Sequence, residues 1–424
     1  MSLKVRLTIM NFLEFAVWGA YLTSMGSYLV RVGLADSIGW FYSIQGIVSL
    51  FMPALAGIVA DRWVQAQRVF SLCHFLSALF MFLTAYYGYR MGNAVSFPIL
   101  FIFYTFSVAC YMPTISLANS VSYAALEAGG LDTVKVFPAI RVFGTVGFIC
   151  SMWVVDLCGW QQSYLQFAFA GLLGVALSVY STSLPACPVS RGAKKSLSEA
   201  LGLKAFALFK QKRMALFFIF SMCLGICLQI TNGFANPFLS AFGSLPQYAD
   251  AYCVKHANIL ISISQMSETL CILLIPFFLR RFGIKYVMLM AMLAWVLRFG
   301  LFAVGNPGSG VWLFVLSMIV YGIAFDFFNI SGSLFVDQET DVSVRSSAQG
   351  LFMMMTNGFG STIGTLSAQA VINRYVYSLP ADAPGEAIIA GWSTSWYLFA
   401  AYALVVAVLF MLVFQYKHEN TAKG

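Results

Sequence analysis

The chain is built from runs of about 20 consecutive, mostly apolar residues, and no other feature restricts its fold so strongly. That is the length an α-helix needs to cross the hydrocarbon of a bilayer. Twelve such segments can be marked, at 7–30, 38–60, 69–89, 97–122, 137–157, 163–184, 214–238, 257–279, 287–304, 310–334, 349–370 and 393–414. The runs are long and continuous, with no alternation at period two, so helices are expected rather than a β-barrel. Composition points the same way. Residues are 60% hydrophobic and only 9% charged, and a water-facing surface needs more polar groups than that. The expected fold class is an all-α polytopic membrane protein. Disordered, collagenous, coiled-coil and disulfide-scaffold chains are excluded on the same ground.

Lysine and arginine set the expected orientation. With the N-terminus in the cytoplasm, only Arg31, Arg90, Lys255 and Arg374 fall outside, and Arg141 and Arg298 fall within spans. The other 18 basic residues are cytoplasmic, so both termini are expected inside. The longest cytoplasmic connection, 185–213, separates six spans from six. The expected organisation is an N-terminal six-helix bundle over 1–184, a central linker over 185–213 and a C-terminal bundle over 214–424. A GxxxDR turn, Gly57 to Arg62, follows span 2, and a basic turn, Arg280 to Lys285, holds the equivalent place in the second half. This is the layout of an internal 6+6 repeat. The net charge of +8 is spread between apolar runs without an aromatic-interleaved patch, so no nucleic-acid partner is expected. The nine cysteines form no CxxC pair or Cys/His cluster and read as small apolar packing residues, with no metal site expected. The first run is long enough to span and no small-residue cleavage site follows it, so no cleavable signal peptide is expected.

Charges inside spans are costly and mark candidate sites. They are Glu14, Arg141, Glu268, Arg298 and Asp326. Glu268 shares a helix face with Gln265, three residues before it. Asp326 shares one with Asn329, beside an aromatic stripe of Tyr321, Phe325 and Phe328. In span 7, Gln229, Asn232 and Asn236 fall at i, i+3 and i+7. In span 5, Arg141, Thr145 and Phe148 fall at i, i+4 and i+7. Four helices therefore each present a polar stripe. Carboxylates, amides, one guanidinium and aromatic rings suit a small, uncharged, hydrogen-bonding solute with a flat ring. Each polar residue could instead only glue helices together. Arg298, toward the outer part of span 9, reads as structural, snorkelling or paired. Asp156, at the end of span 5, reads as wet. His74 reads as structural, His256 as undistinguished, and Tyr86, Tyr87 and Tyr89 as an interfacial belt.

No GxxxxGK[ST] loop is present, so an ion gradient is the expected energy source and no cofactor is needed. A carboxylate in a low-dielectric bundle is costly to ionise, so it can take and lose a proton near neutral pH. Glu268, Asp326 and Glu14 are the candidates for proton coupling. No nucleophile–His pair and no metal cluster stands among the intramembrane polar groups, so no enzyme is expected.

Seven segments carry a further resemblance: FMPALAGIVADRW (51–63), FPAIRVFGTVGFI (137–149), LGLKAFALFKQKRMALFFIFSM (201–222), LQITNGFANPFL (228–239), SISQMSETL (262–270), YGIAFDFFNISGS (321–333) and SSAQGLFMMMTNGFG (346–360). Through them the chain resembles the nucleoside:proton symporter family of the major facilitators, nearest to its broad-specificity branch. The resemblance implies twelve transmembrane helices in two pseudosymmetric six-helix bundles. It implies import of nucleosides across the cytoplasmic (inner) membrane by proton symport with alternating access, by a monomer. It implies a substrate site drawing on Arg141, Thr145, Phe148, Gln229, Asn232, Gln265, Glu268, Tyr321, Phe325 and Asp326. Position 14 departs from the family, with Glu where near members carry Gln. An acid there either alters coupling or selectivity, or sits wet near the cytoplasmic mouth. The competing expectation is a major facilitator that moves a sugar or a drug.

Overall fold

A computed structural model describes residues 2–187 and 203–416. More than half of the expected 185–213 linker therefore lies outside the described residues. Among the described residues every regular element is helical, as the apolar runs require. The helices are α1 (Leu3–Gly19), α2 (Met25–Arg31), α3 (Ile38–Ser49), α4 (Met52–Arg62), α5 (Ala66–Met91), α6 (Phe97–Ala128), α7 (Thr133–Leu157) and α8 (Leu165–Ser181). They continue with α9 (Lys212–Leu228), α10 (Ile230–Ala241), α11 (Ala257–Val304), α12 (Val311–Glu339), α13 (Val342–Met353), α14 (Ser361–Ile372) and α15 (Gly385–Val413).

Among the described residues eight helical stretches are long and apolar enough to cross a bilayer. The sixth expected span, Leu165–Ser181, is apolar but only 17 residues long, and several spans are interrupted by the backbone. The first expected span divides into α1 and α2, and the seventh divides at Gln229 into α9 and α10. The eleventh carries a π-helical stretch at Met354–Gly360 between α13 and α14. Conversely, α11 holds the eighth and ninth expected spans in one run of 48 residues. A straight helix of that length would extend about 70 Å, more than twice the ~30 Å hydrocarbon thickness. The run is broken at Gly283, whose φ of 76° and ψ of 169° lie outside the helical region. Glycine alone reaches that backbone conformation cheaply.

The chain divides into two compact units. Unit 1 comprises Met1–Leu201 with Thr231–Ser240 and His256–Ile259. Unit 2 comprises Gly202–Ile230, Ala241–Lys255 and Leu260–Gly424. In unit 1 an apolar cluster of Leu7, Met10, Phe70, Leu117, Val121 and Leu177 lies at the centre of α1, α5, α6 and α8. In unit 2 the core is aromatic. Phe217 packs on Phe335 and Phe352, while Trp396 stacks on Phe302 and Phe299. Large apolar side chains are also left outside: Leu72, Phe75 and Leu79 on α5, Leu270, Leu273 and Phe277 on α11, and Leu404 and Leu412 on α15. Patches of this kind are untenable in water and ordinary against lipid. Tyr86 and Tyr89 belong to that exposed set. Tyr87 does not: it is buried, and its hydroxyl accepts from the Ser96 backbone N–H.

Without a hydrophobic drive between helices in lipid, close approach depends on small residues. A Cβ on Gly147 of α7 would collide with the backbone of Phe12 on α1, and one on Gly19 would collide with the backbone of Phe148. In unit 2 a Cβ on Gly225 of α9 would strike the backbone of Thr356, and one on Gly322 of α12 would lie 2.6 Å from the Ser267 carbonyl oxygen. These contacts set the rotation of the helices that carry the intramembrane polar residues. Gly147→Ala is therefore expected to destabilise the protein by about 1–3 kcal/mol. Gly300→Ala, at a position where a Cβ meets nothing within 4 Å, serves as the control. Thermal unfolding in detergent checks the difference, and equal midpoints would refute the account.

Candidate functional site

In unit 2 the predicted carboxylates come together. Asp326, on α12, is 5% exposed, and among the described residues its Oδ2 has no hydrogen-bond partner. Glu268, on α11, is half-buried and near enough to interact with it electrostatically. The Gly322 contact with Ser267 brings these two helices together one turn away. Tyr321 lies within electrostatic reach of both acids and of Arg298. Its ring stacks on Phe325 with centroids 5.7 Å apart and planes 5° from parallel, and Trp295 meets it edge-on at 5.9 Å. Phe325 and Asn329 line a recess with Leu228, Trp295, Phe328 and Thr356. Gln265, on the Glu268 face, and Gln229, at the break between α9 and α10, are half-buried. Arg298 does not snorkel. It is 2% exposed; its guanidinium donates to the Ser317 carbonyl at 2.6 Å and stands 4.7 Å from the Tyr321 ring centroid.

In unit 1, Arg141 and Thr145 are half-buried and Phe148 is buried. The Arg141 guanidinium lies over the Phe15 ring at 3.9 Å, a cation–π contact. Trp18 meets Phe148 edge-on at 6.2 Å, and its indole N–H donates to Gln45 Oε1 at 3.3 Å. Gln45 in turn donates to the Tyr104 hydroxyl at 2.8 Å. Asn232 is half-buried in the same unit. Trp18 and Gln45 were not among the expected site residues. One aromatic in an aromatic-rich chain and one amide at the middle of span 2 give little signal without their neighbours.

Two expectations need correction. Asn236 is taken up by protein neighbours rather than left open beside Asn232 on α10. α10 begins just after Gln229, and Asn236 is fully buried. It accepts from Ser27 at 2.6 Å and donates to Gln161 and Asn258, each at 2.8 Å. Thr23 donates to the same Asn258 oxygen at 3.0 Å. Asp156 is not wet. It is 3% exposed, at the end of α7, and one of its oxygens accepts from the Ile259 backbone N–H at 3.2 Å. The other lies 2.5 Å from His256 Nδ1. A carboxylate at the start of a helix satisfies otherwise unpaired backbone donors and complements the helix dipole. This amide and acid cluster holds 231–240 and 256–259 within unit 1. The readable sign of it was an acid and a histidine at the ends of two spans, a pairing visible only when the spans are side by side.

Buried carboxylates, amides and stacked rings in a lipid-facing helical fold define a polytopic membrane carrier. The comparisons identify which one. A family profile described as nucleoside H+ symporter matches residues 1–419, and the chain belongs to that family. It is 48% identical over 428 residues to the nucleoside permease NupG of Escherichia coli (strain K12), covering 100% of this chain and 99% of the relative. It is 47% identical over 424 residues to the xanthosine permease of the same organism, covering 99% and 97%. A crystal structure of the nucleoside transporter NupG superposes with a TM-score of 0.89 at 48% identity, covering 98% of this chain and all of that one. The crystal structure of a D-xylose-proton symporter superposes with a TM-score of 0.68 at 13% identity, covering 97% and 98%, a likeness of fold alone.

Asp156→Ala would leave the Ile259 amide without its acceptor. The lost bond corresponds to about 1–3 kcal/mol, so hydrogen exchange at 256–259 is expected to speed up roughly ten- to a hundredfold. Exchange mass spectrometry reads this directly, and unchanged protection there would remove Asp156 from the network.

Proposed function

We propose that this protein imports nucleosides across the cytoplasmic membrane by proton symport with alternating access. It acts as a monomer, with both termini in the cytoplasm and the proton gradient as its energy source. The observation that carries the reading is the pair of acids in unit 2, half-buried Glu268 and buried Asp326, beside the stacked Tyr321–Phe325 rings in a member of the nucleoside H+ symporter family. An acid with an unpartnered oxygen in an apolar bundle is a poor structural device. It becomes useful when a proton or a solute hydroxyl completes it.

In this reading the ribose hydroxyls are taken by Arg141, Gln229, Asn232 and Glu268. The base is taken by Phe148, Phe325 and Gln265, with Thr145, Tyr321 and Asp326 completing the binding set. Neutral hydroxyls accept from guanidinium and amide donors and donate to carboxylates, and an aromatic face stacks on a planar base. Proton uptake by Glu268 or Asp326 neutralises a charge whose burial is expensive, so solute occupancy and the conformational equilibrium become linked. Of the permeases of E. coli that share 48% and 47% identity, one is named for nucleosides in general and the other for xanthosine. Overall identity therefore does not choose between purine and pyrimidine nucleosides, and substrate range must be read by competition. The sugar or drug alternative has no comparable support, because the xylose symporter shares only the fold.

The test is uptake of labelled uridine into whole cells, competed by nucleosides, free bases, sugars and nucleotides, with and without a protonophore. Competition by nucleosides alone and collapse of accumulation with the protonophore are expected. Sugar competition, or accumulation that survives the protonophore, would defeat the reading. Glu268→Gln and Asp326→Asn should reach the membrane in normal amount and lose concentrative uptake by at least tenfold, the equivalent of about 1.4 kcal/mol. Wild-type accumulation by both variants would release these acids from the mechanism.

A further inference from the structure

The most enclosed charge in unit 1 is Glu14. Glu14 is not a wet residue at a channel mouth: its side chain and that of His74 are both 0% exposed. Glu14 Oε2 lies 2.6 Å from His74 Nε2. Its other oxygen, Oε1, accepts from the Thr114 hydroxyl at 2.7 Å, and the Tyr111 hydroxyl donates to the Glu14 backbone carbonyl at 2.7 Å. The group is thus assembled by three helices, α1, α5 and α6. One polar atom is left over: among the described residues His74 Nδ1 is buried with no hydrogen-bond partner.

That open nitrogen decides how the pair handles protons. In its proton-poor form the pair carries one negative charge. His74 Nε2–H donates to the carboxylate, and Nδ1 presents a bare lone pair. An incoming proton bonds to Nδ1. The bridging proton then stays on Nε2 or crosses to Oε2; either way the pair is neutral overall and has gained one proton. Thr114 serves both forms. Its hydroxyl donates to the carboxylate, or turns to the Tyr111 carbonyl 2.6 Å away when the carboxyl no longer needs a donor. A purely structural ion pair would call for a partner on each ring nitrogen, because an imidazolium has two donors to satisfy.

The surroundings connect the pair to the rest of the unit. Phe70 on α5 meets the His74 ring at 4.6 Å and Tyr111 on α6 meets it at 5.9 Å. Cys73 on α5 lies within electrostatic reach of both Glu14 and Cys110 on α6. Tyr111 is within reach of Glu14 and of Arg141 on α7. From α8 the backbone arrives at Gly174, against the His74 carbonyl. Of these groups only Arg141 carries a fixed charge, and it sits over Phe15, the neighbour of Glu14 in the chain. One turn further along α1, Trp18 meets Phe148 and Tyr111. A single stretch of α1 therefore carries the acid, the platform for the Arg141 guanidinium and the ring that touches Phe148.

We infer that Glu14 and His74 form a one-proton binding site, loaded at His74 Nδ1 and linked through Phe15 and Trp18 to the occupancy of the Arg141 and Phe148 face. The inference rests on the symport reading above and adds to it a proton site separate from Glu268 and Asp326. When a nucleoside engages Arg141, the field of that cation at the pair changes, and the proton balance of the pair changes with it. Linkage makes the effect reciprocal.

The test reads the ring directly. The chain has three histidines, so full-length protein with ring-¹⁵N histidine in lipid nanodiscs gives a countable spectrum, and His74→Asn assigns the His74 signals by their loss. Across a pH titration of the folded protein, the wild-type His74 nitrogens should show one protonation step. Saturating uridine should displace that step, and Glu14→Gln should abolish it. Static His74 signals, a step indifferent to uridine, or a step unchanged in Glu14→Gln would each overturn the inference. The wild-type titration alone can decide the matter, so a variant that fails to fold leaves the test intact. Protonophore-sensitive uridine uptake alongside a silent His74 would refute this pair and spare the symport reading. Protonophore-insensitive uptake would refute both.

Discussion

Everything in this protein depends on the inability of hydrocarbon to solvate a polar group. Backbone amides must then pair within helices, and every ionisable side chain inside the fold must find a partner in the protein. Arg298 finds the Ser317 carbonyl and the Tyr321 ring. Glu14 finds His74 and Thr114. Asp156 finds His256 and the Ile259 amide near the start of α11. Asp326 keeps an oxygen unmatched among the described residues. His74 Nδ1 and Arg298 Nε are likewise left without a partner among the described residues, so the matching is incomplete at a few buried atoms.

The two units solve the same packing problem differently. Unit 1 brings α1 onto α7 through glycine contacts so tight that Phe12 and Phe148 touch bare backbone. On these helices Arg141 lies over Phe15, and Trp18 meets Phe148 edge-on. Unit 2 packs its centre with Phe and Trp rings, and its helices are interrupted at Gly283 and at the π-helical stretch 354–360. Wide π turns leave main-chain groups imperfectly paired and recur where a helix must serve more than packing.

Much of this was legible in the residues. Apolar runs of the right length announced the helices, and the rarity of charge inside them singled out Glu14, Arg141, Glu268, Arg298 and Asp326. Period 3.6 paired Tyr321 with Phe325 correctly, because both lie on one unbroken helix. Periodicity also placed Asn236 four residues from Asn232 on one helix, but it could not show that the Asn236 amide is taken up by Ser27, Gln161 and Asn258. Asp156 and His256 were passed over for a related reason. They are a hundred positions apart, and each by itself is an ordinary residue at the end of a span.

By itself, then, the sequence determined the solvent the protein lives in, the number and place of its apolar segments, its family and the short inventory of intramembrane polar groups. Each of these follows from local composition or local spacing, and the bilayer imposes so strong a filter that local information is enough. Only the tertiary structure decided which of those groups are matched and which are left open. It placed His74 against Glu14, turned Arg298 inward, spent Asn236 on Ser27 and Gln161, and set Asp326 near Glu268. Partner choice depends on helix rotation and depth, which are fixed by glycine contacts and backbone breaks between distant segments, and one-dimensional spacing does not encode them.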